Sequence, residues 1–115
     1  MEKRNIIVEK SFEFSLMIIE YCELLESKRK YVIAKQLLRS GTSIGANIQE
    51  AQSAESKADF VHKLKISDKE VNETKYWLLL CKKSENYPDP VGLEKVLEDI
   101  KSILSKIIIS SKQRR

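Results

Sequence analysis

The sequence has few of the residues that bind metals, form disulfides or interrupt helices. Its 115 residues include one histidine, two cysteines, two prolines and three glycines, and aromatic residues make up only 7%. This scarcity, with 42% hydrophobic and 33% charged residues, argues against a disordered chain or an all-β fold and favours a helical protein. Because the chain offers only His62, Cys22 and Cys81 as nitrogen and sulfur ligands, zinc and di-iron sites are not expected.

The sequence also lacks a long hydrophobic run. No apolar stretch approaches the length of a membrane span, and the opening residues MEKRNIIVEK do not resemble a secretory signal. We therefore expect a cytoplasmic protein with reduced thiols and no membrane partner. The net charge of +4 arises from 21 basic and 17 acidic residues, a mixed surface that permits nucleic-acid binding without requiring it.

Apolar residues recur at helical spacing along four segments of the chain. The predicted helices cover residues 5–26, 31–54, 56–85 and 93–111, and the stretch NYPDPVG (residues 86–92) is the one real loop. Four helices of similar length joined by short connections favour an all-α fold, an antiparallel up-down-up-down four-helix bundle. At this length, residues 1–115 are expected to form a single domain.

The second predicted helix contains Gly41 and Gly45, each of which costs a helix interior about 1 kcal/mol relative to alanine. Close approach of another backbone is the expected compensation. The alternative is that Gly41 ends one helix and Ser43 caps the next. The apolar stripe continues through Gly41, which favours one continuous helix.

A stripe of short polar side chains lies beside the apolar stripe of the second helix. Its residues are Ser40, Ser43, Asn47 and Glu50, and the third helix carries the counterparts Ser67, Glu70 and Thr74. If the two helices are antiparallel neighbours, these residues are expected to form a buried hydrogen-bond network that fixes the register. The alternative is that they line a binding groove.

The third helix has apolar residues on two sides. Ile66, Trp77 and Leu80 lie opposite its core stripe, where a lone subunit would leave them in water. The first helix also has a broad apolar belt, formed by Phe12, Leu16, Met17, Ile19 and Leu24. We therefore predict a homo-oligomer with Ile66, Trp77 and Leu80 in its interface. Alternatively, Trp77 lies under a terminal segment or the following loop.

Basic residues are densest at the turn between the first two helices. They are Lys28, Arg29, Lys30, Lys35 and Arg39. They are candidate contacts for nucleic-acid phosphates, and they also suit a solvated turn at a helix C-terminus. No histidine shares a face with a candidate serine or threonine nucleophile, and no phosphate loop or dinucleotide fingerprint is present. The sequence therefore predicts no enzyme activity, no cofactor and no small-molecule substrate.

Three segments resemble a known family, the four-helix-bundle proteins of the 23S rRNA intervening-sequence protein family. The segments are RSGTSIGANIQEA (39–51), SKADFVHKLKIS (56–67) and KEVNETKYWL (69–78). The resemblance implies structural or interface roles for the residues that match its motif. They are Arg39, Ser43, Asn47, Glu50, Asp59, Phe60 and Glu73.

The same resemblance implies a ring-like homo-oligomer, typically a pentamer. It also implies relatives encoded within ribosomal RNA genes and a similarity to the accessory protein of diversity-generating retroelements, which binds nucleic acid and a reverse transcriptase. Two functions follow as hypotheses. The first is a non-enzymatic assembly and interaction module. The second is an RNA-binding protein whose oligomer combines several weak basic patches into one multivalent surface.

Overall fold

The structure, a computed structural model, describes residues 5–113 and contains four helices in that range. They are α1 (Ile6–Ser27), α2 (Tyr31–Ala51), α3 (Lys57–Lys83) and α4 (Leu93–Gln113). Each helix packs against its neighbours in sequence, and α1 also packs against α4, so α1 lies diagonally across from α3. Residues 1–4 and 114–115, which the predicted domain includes, lie outside the described residues.

Contacts between the helices establish their directions. Asn5 at the start of α1 bonds to Gln52 after α2, and Glu50 near the end of α2 pairs with Lys63 near the start of α3. Lys82 at the end of α3 likewise pairs with Glu94 at the start of α4. Successive helices are therefore antiparallel, and the predicted up-down-up-down four-helix bundle is confirmed.

The ends of the helices follow from local hydrogen bonding. The Ser56 side chain accepts a hydrogen bond from the Asp59 amide, and the Asp59 carboxylate accepts one from the Glu55 amide, a variant of the predicted capping box. α2 ends at Ala51 and not at residue 54, because residues 52–54 form tighter turns with hydrogen bonds to the third residue back. α3 ends at Lys83, because Ser84 is extended and Asn86 has a positive φ of 67°.

α2 is continuous through both glycines, as the apolar stripe predicted. A Cβ atom at Gly45 would lie 3.2 Å from the carbonyl oxygen of Ser11, so the backbones of α1 and α2 approach closely there. At Gly41 the neighbour is a side chain, since a Cβ atom would lie 2.8 Å from Cγ1 of Ile18. The predicted backbone approach is therefore found at Gly45 alone, and Gly41 makes room for a core isoleucine.

The four helices bury one continuous hydrophobic core. Its largest fully buried side chains include Phe14, Ile18, Leu37, Ile44 and Leu104. Two contacts hold the loop between α3 and α4 against α1 and the start of α2. The Tyr21 hydroxyl donates a hydrogen bond of 2.6 Å to the carbonyl oxygen of Pro88, and the Lys30 ammonium lies 4.9 Å from the centre of the Tyr87 ring.

Candidate interaction surfaces

The polar stripe forms a buried contact between α2 and α3 at only part of its length. The Thr74 hydroxyl donates a 2.9 Å hydrogen bond to Oγ of Ser40, and the Ser67 hydroxyl donates one of 2.9 Å to the carbonyl oxygen of Ile44. All three hydroxyl-bearing residues are fully buried. Because a shift of register would leave these groups without partners in the core, the contacts favour one alignment of the helices.

The remaining residues of the predicted network do not join it. The Ser43 hydroxyl and the Asn47 amide donate to carbonyl oxygens of their own helix, those of Arg39 and Ser43. Glu50 is exposed and pairs with Lys63 at 3.0 Å. These side chains lie nearer the rim of the α2–α3 contact, where water and local carbonyl groups compete for them. The buried network is smaller than the sequence predicted.

Arg39 is engaged in an ion-pair cluster on the surface of the bundle. Its guanidinium donates to Glu73 and lies 3.4 Å from Glu70, and the Trp77 indole N–H also donates to Glu73, at 3.0 Å. The hydrogen bond from Arg39, followed by that from Trp77, holds the pKa of Glu73 below its usual range. The hydrogen bond to Glu73 likewise raises the pKa of Arg39. Arg39 therefore links α2 to α3, and a phosphate would have to compete with two carboxylates for it.

The three residues predicted for the oligomer interface are less exposed than the sequence suggested. Ile66, Trp77 and Leu80 are each half-buried, and Trp77 packs against the edge of the core. The expectation that a lone subunit leaves them in water is therefore wrong. The physical reason is that Ile66 and Trp77 lie toward the α2 side of α3, where the Arg39 cluster covers part of the indole. Phe60, from the family motif, is likewise half-buried at the edge of the core.

α1 carries a row of exposed large apolar side chains on one face. Phe12 is 64% exposed, Leu16 52% and Ile19 40%, and we call these three residues the α1 strip. The strip borders a groove whose α2 wall is made of Thr42, Gly45, Ala46 and Gln49. The sequence indicated this surface as a broad apolar belt, which was predicted to take part in the oligomer together with the far side of α3. Met17, the exception in that belt, is half-buried against the core.

The basic patch at the α1–α2 turn is partly available to a ligand. Lys28, Arg29 and Lys35 are exposed, whereas Lys30 is half-buried against Tyr87. Arg29 has a φ of 64°, and the amides of Arg29 and Lys30 donate to the carbonyls of Glu26 and Leu25. This is a Schellman motif with arginine at the left-handed position that glycine usually occupies. The patch therefore projects two cations from a tightly closed turn and a third, Lys35, from the start of α2.

The two thiols and a neighbouring phenol form a buried group of weak acids. Burial, followed by the nearby Cys81 and Glu26, raises the pKa of Cys22 to about 12. Burial also raises the pKa of Cys81. The pKa of Tyr21 is raised by burial and by the neighbouring thiol of Cys81. Both cysteines are free, and their neutral forms suit a packed core position better than a reactive one.

The described residues offer little to a metal ion or a membrane. No group of three or more histidine, cysteine, aspartate or glutamate side chains within residues 5–113 is arranged to hold a metal. His62 is exposed on α3, as the helical projection predicted. None of the four helices, over the same residues, is long and apolar enough to cross a bilayer.

Comparisons with known proteins agree with this architecture. The family model of the 23S rRNA-intervening sequence proteins matches residues 3–109. A crystal structure of a protein with unknown function from the S23 ribosomal protein family of Bacteroides thetaiotaomicron is similar in fold, with a TM-score of 0.84. The two chains are 43% identical, over 89% of this chain and 97% of that chain. No curated protein is significantly similar in sequence. The chain therefore belongs to the 23S rRNA-intervening sequence protein family.

Proposed function

We propose that this chain is a non-enzymatic assembly module that associates with copies of itself through the α1 strip. The single observation that carries the proposal is the exposure of Phe12, Leu16 and Ile19 side by side on one helix. Contiguous apolar surface of this kind usually marks an interaction site. The α2 wall of the groove beside it includes the small side chains of Thr42, Gly45 and Ala46, which let a partner helix approach closely. The ring of five implied by the family resemblance is the assembly we propose.

The apolar contribution to this contact is moderate. Complete burial of a large apolar side chain stabilises by about 1.5–3 kcal/mol, and the strip residues are already about half covered, so together they supply about 2–5 kcal/mol. Association also costs rotational and translational freedom. Further contacts must therefore contribute to a stable oligomer. A cytoplasmic location is part of the same proposal, since a reducing compartment suits two free buried thiols.

The first prediction concerns the strip itself. Replacing both Phe12 and Leu16 by glutamine keeps good helix formers on α1 and removes most of the exposed apolar surface. Light scattering should then give a mass near that of one chain, 13.3 kDa, where the unmodified protein gives a multiple of it. Val32→Gln is the matched control, since Val32 is 76% exposed but lies on α2 near the turn. An unchanged mass for the double variant would remove the strip from the interface.

RNA binding is the second candidate function. It is favoured by three exposed cations at and just after the α1–α2 turn, Lys28, Arg29 and Lys35, for which the described residues provide no carboxylate partner. An oligomer would carry one copy of this patch on each subunit, so one RNA molecule could make several weak phosphate contacts at once. Arg39 and Lys30, which the sequence grouped with them, are engaged with Glu73 and Tyr87.

The second prediction tests that candidate with a single-stranded RNA homopolymer and a gel-retardation assay across salt concentrations. Each lost phosphate contact should reduce the slope of log affinity against log salt by about 0.7. The variant Lys28→Gln/Lys35→Gln should therefore show a shallower slope. The control Lys75→Gln/Lys106→Gln changes charge equally at exposed sites elsewhere. Equal slopes for both variants, or no retardation at low salt, would contradict RNA binding at this turn.

A further inference from the structure

Charge is distributed very unevenly among the four helices. α1 contains five glutamates and one lysine, whereas α3 contains seven lysines and four acidic residues. The acidic residues of α1 are Glu9, Glu13, Glu20, Glu23 and Glu26, and its one lysine, Lys10, lies 4.0 Å from Asp99 of α4. Because α1 and α3 lie on the diagonal of the bundle, their outward faces point away from each other. A single subunit therefore has an acidic side and a basic side.

The outward face of α1 combines unpaired acids with the α1 strip. Glu13, Glu20 and Glu23 are exposed, and none of them has an ion-pair partner among residues 5–113. At helical spacing these carboxylates flank Phe12, Leu16 and Ile19. A partner for this face must therefore cover apolar side chains and supply cations at their margins.

The outward face of α3 has the complementary composition. Lys65, Lys69 and Lys83 are exposed and have no carboxylate partner in the described part of the chain. Between them along the helix lie Tyr76, which is 57% exposed, and Leu79, which is 45% exposed. The adjacent ammonium of Lys112 lowers the pKa of Lys65, so this face carries uncompensated positive charge that an acidic surface would relieve.

We propose that the outward face of α1 in one copy docks on the outward face of α3 in the next copy, with the α1 strip against Tyr76 and Leu79. This inference rests on the proposed self-association and names its second surface. The charges are complementary, since Glu13, Glu20 and Glu23 would meet Lys65, Lys69 and Lys83. On each face the exposed apolar residues lie among these charged ones.

This pairing determines the kind of assembly. A two-fold contact between two α1 faces would place Glu13, Glu20 and Glu23 of both copies against one another, and like charges brought together at an interface cost several kcal/mol. A contact between different faces instead leaves an unused α1 face and an unused α3 face at the ends of every pair. Such contacts close into a ring where the rotation between copies allows it and otherwise extend into a filament. The pairing therefore predicts a head-to-tail assembly.

The third prediction uses charge reversal on one face at a time. The acid-face variant is Glu13→Lys/Glu20→Lys/Glu23→Lys, and the base-face variant is Lys65→Glu/Lys69→Glu/Lys83→Glu. Each should sediment mainly as a single chain, with association weakened about 100-fold or more, because its two docking faces now carry the same charge. An equimolar mixture should restore association, since each variant then offers the face that the other lacks. Because the two variants must alternate, a ring of five would keep one like-charged contact, so the mixture should form open chains or rings with an even number of copies. Lys75→Glu/Lys106→Glu is the control and should assemble normally.

The outcomes separate the pairing from the proposed function. A base-face variant that assembles like the unmodified protein would overturn the α1–α3 contact and indicate that α1 faces meet each other or another surface. A mixture that stays monomeric would overturn it also. An unmodified protein that is monomeric at every concentration would instead contradict self-association itself. If circular dichroism shows that a triple variant is not folded, the single variants Glu20→Lys and Lys69→Glu replace the triple variants in the same experiment. The expected loss of association is then smaller.

Discussion

Gly41→Ala is expected to lower the free energy of unfolding by about 2 kcal/mol, although alanine is the better helix former. The new methyl carbon would lie 2.8 Å from Cγ1 and 3.0 Å from Cγ2 of Ile18. Ile18 is fully buried, and its branched Cβ leaves it one preferred rotamer in a helix. The isoleucine therefore cannot move aside without disturbing the core. Urea denaturation monitored by circular dichroism measures the loss.

Two backgrounds test the cause of that loss. In Ile18→Ala the clashing atoms are absent, so adding Gly41→Ala should be neutral or should stabilise by up to about 1 kcal/mol, the helix-propensity difference. Valine at position 18 keeps both γ-carbons that approach Gly41 most closely. In the Ile18→Val background, Gly41→Ala should therefore still lower the free energy of unfolding. A similar loss in the alanine and valine backgrounds would show that the contact with Ile18 is not responsible.

Alkaline pH is expected to destabilise the protein well before its lysines and arginines are fully deprotonated. The folded bundle holds Cys22 neutral, with its pKa raised to about 12, and it also raises the pKa of Tyr21 and of Cys81. In the unfolded chain a thiol ionises near pH 8.5. The stability that the neutral Cys22 thiol contributes is therefore complete below about pH 8.5 and is lost as the pH rises toward 12. Between those values Cys22 should reduce the free energy of unfolding by about 1.4 kcal/mol per pH unit. Tyr21 and Cys81 change stability in the same direction.

Urea titrations from neutral pH upward measure this dependence. Cys22→Ala is the informative variant, because it removes one of the buried weak acids. The variant should be less stable near neutral pH, where the thiol only fills space, and its stability should then fall less steeply above pH 8.5. Lysine deprotonation affects both proteins equally. Parallel curves for the two proteins would show that ionisation of Cys22 is not linked to unfolding.

Local patterns in the sequence were sufficient for the architecture. The apolar stripes placed all four helices, because packing of one amphipathic face determines where a helix lies in a small bundle. The cap formed by Ser56 and Asp59 could be predicted because both partners are three residues apart. The continuity of α2 through Gly41 followed from the stripe, whereas the neighbour at Gly41, Ile18, depends on how α1 packs.

Contacts between distant residues could not be predicted in the same way. Arg39 was grouped with the basic patch by its position in the chain, yet it lies against Glu70 and Glu73 of α3. The exposure of Trp77 was overestimated because its cover comes from that cluster and from the edge of the core. Conversely, the α1 strip was visible as a broad apolar belt, but only the fold shows which part of that belt the other helices leave uncovered.

The interaction surfaces therefore depend on tertiary structure more than on motif. Ser43, Asn47 and Glu50 match the family motif, yet their side chains bond locally or to a surface lysine. The residues that carry the proposed assembly lie outside the matching segments on α1, and partly within them on α3. A helix pattern gives the face on which each side chain lies, and the arrangement of helices decides whether that face is covered.

Sedimentation equilibrium of the unmodified chain over a wide range of concentration tests self-association most directly. We expect a particle of several times 13.3 kDa at high concentration, in equilibrium with smaller species on dilution. Association should weaken as salt rises, because the proposed contact pairs acidic and basic faces. A mass of 13.3 kDa at every concentration and at low salt would contradict self-association.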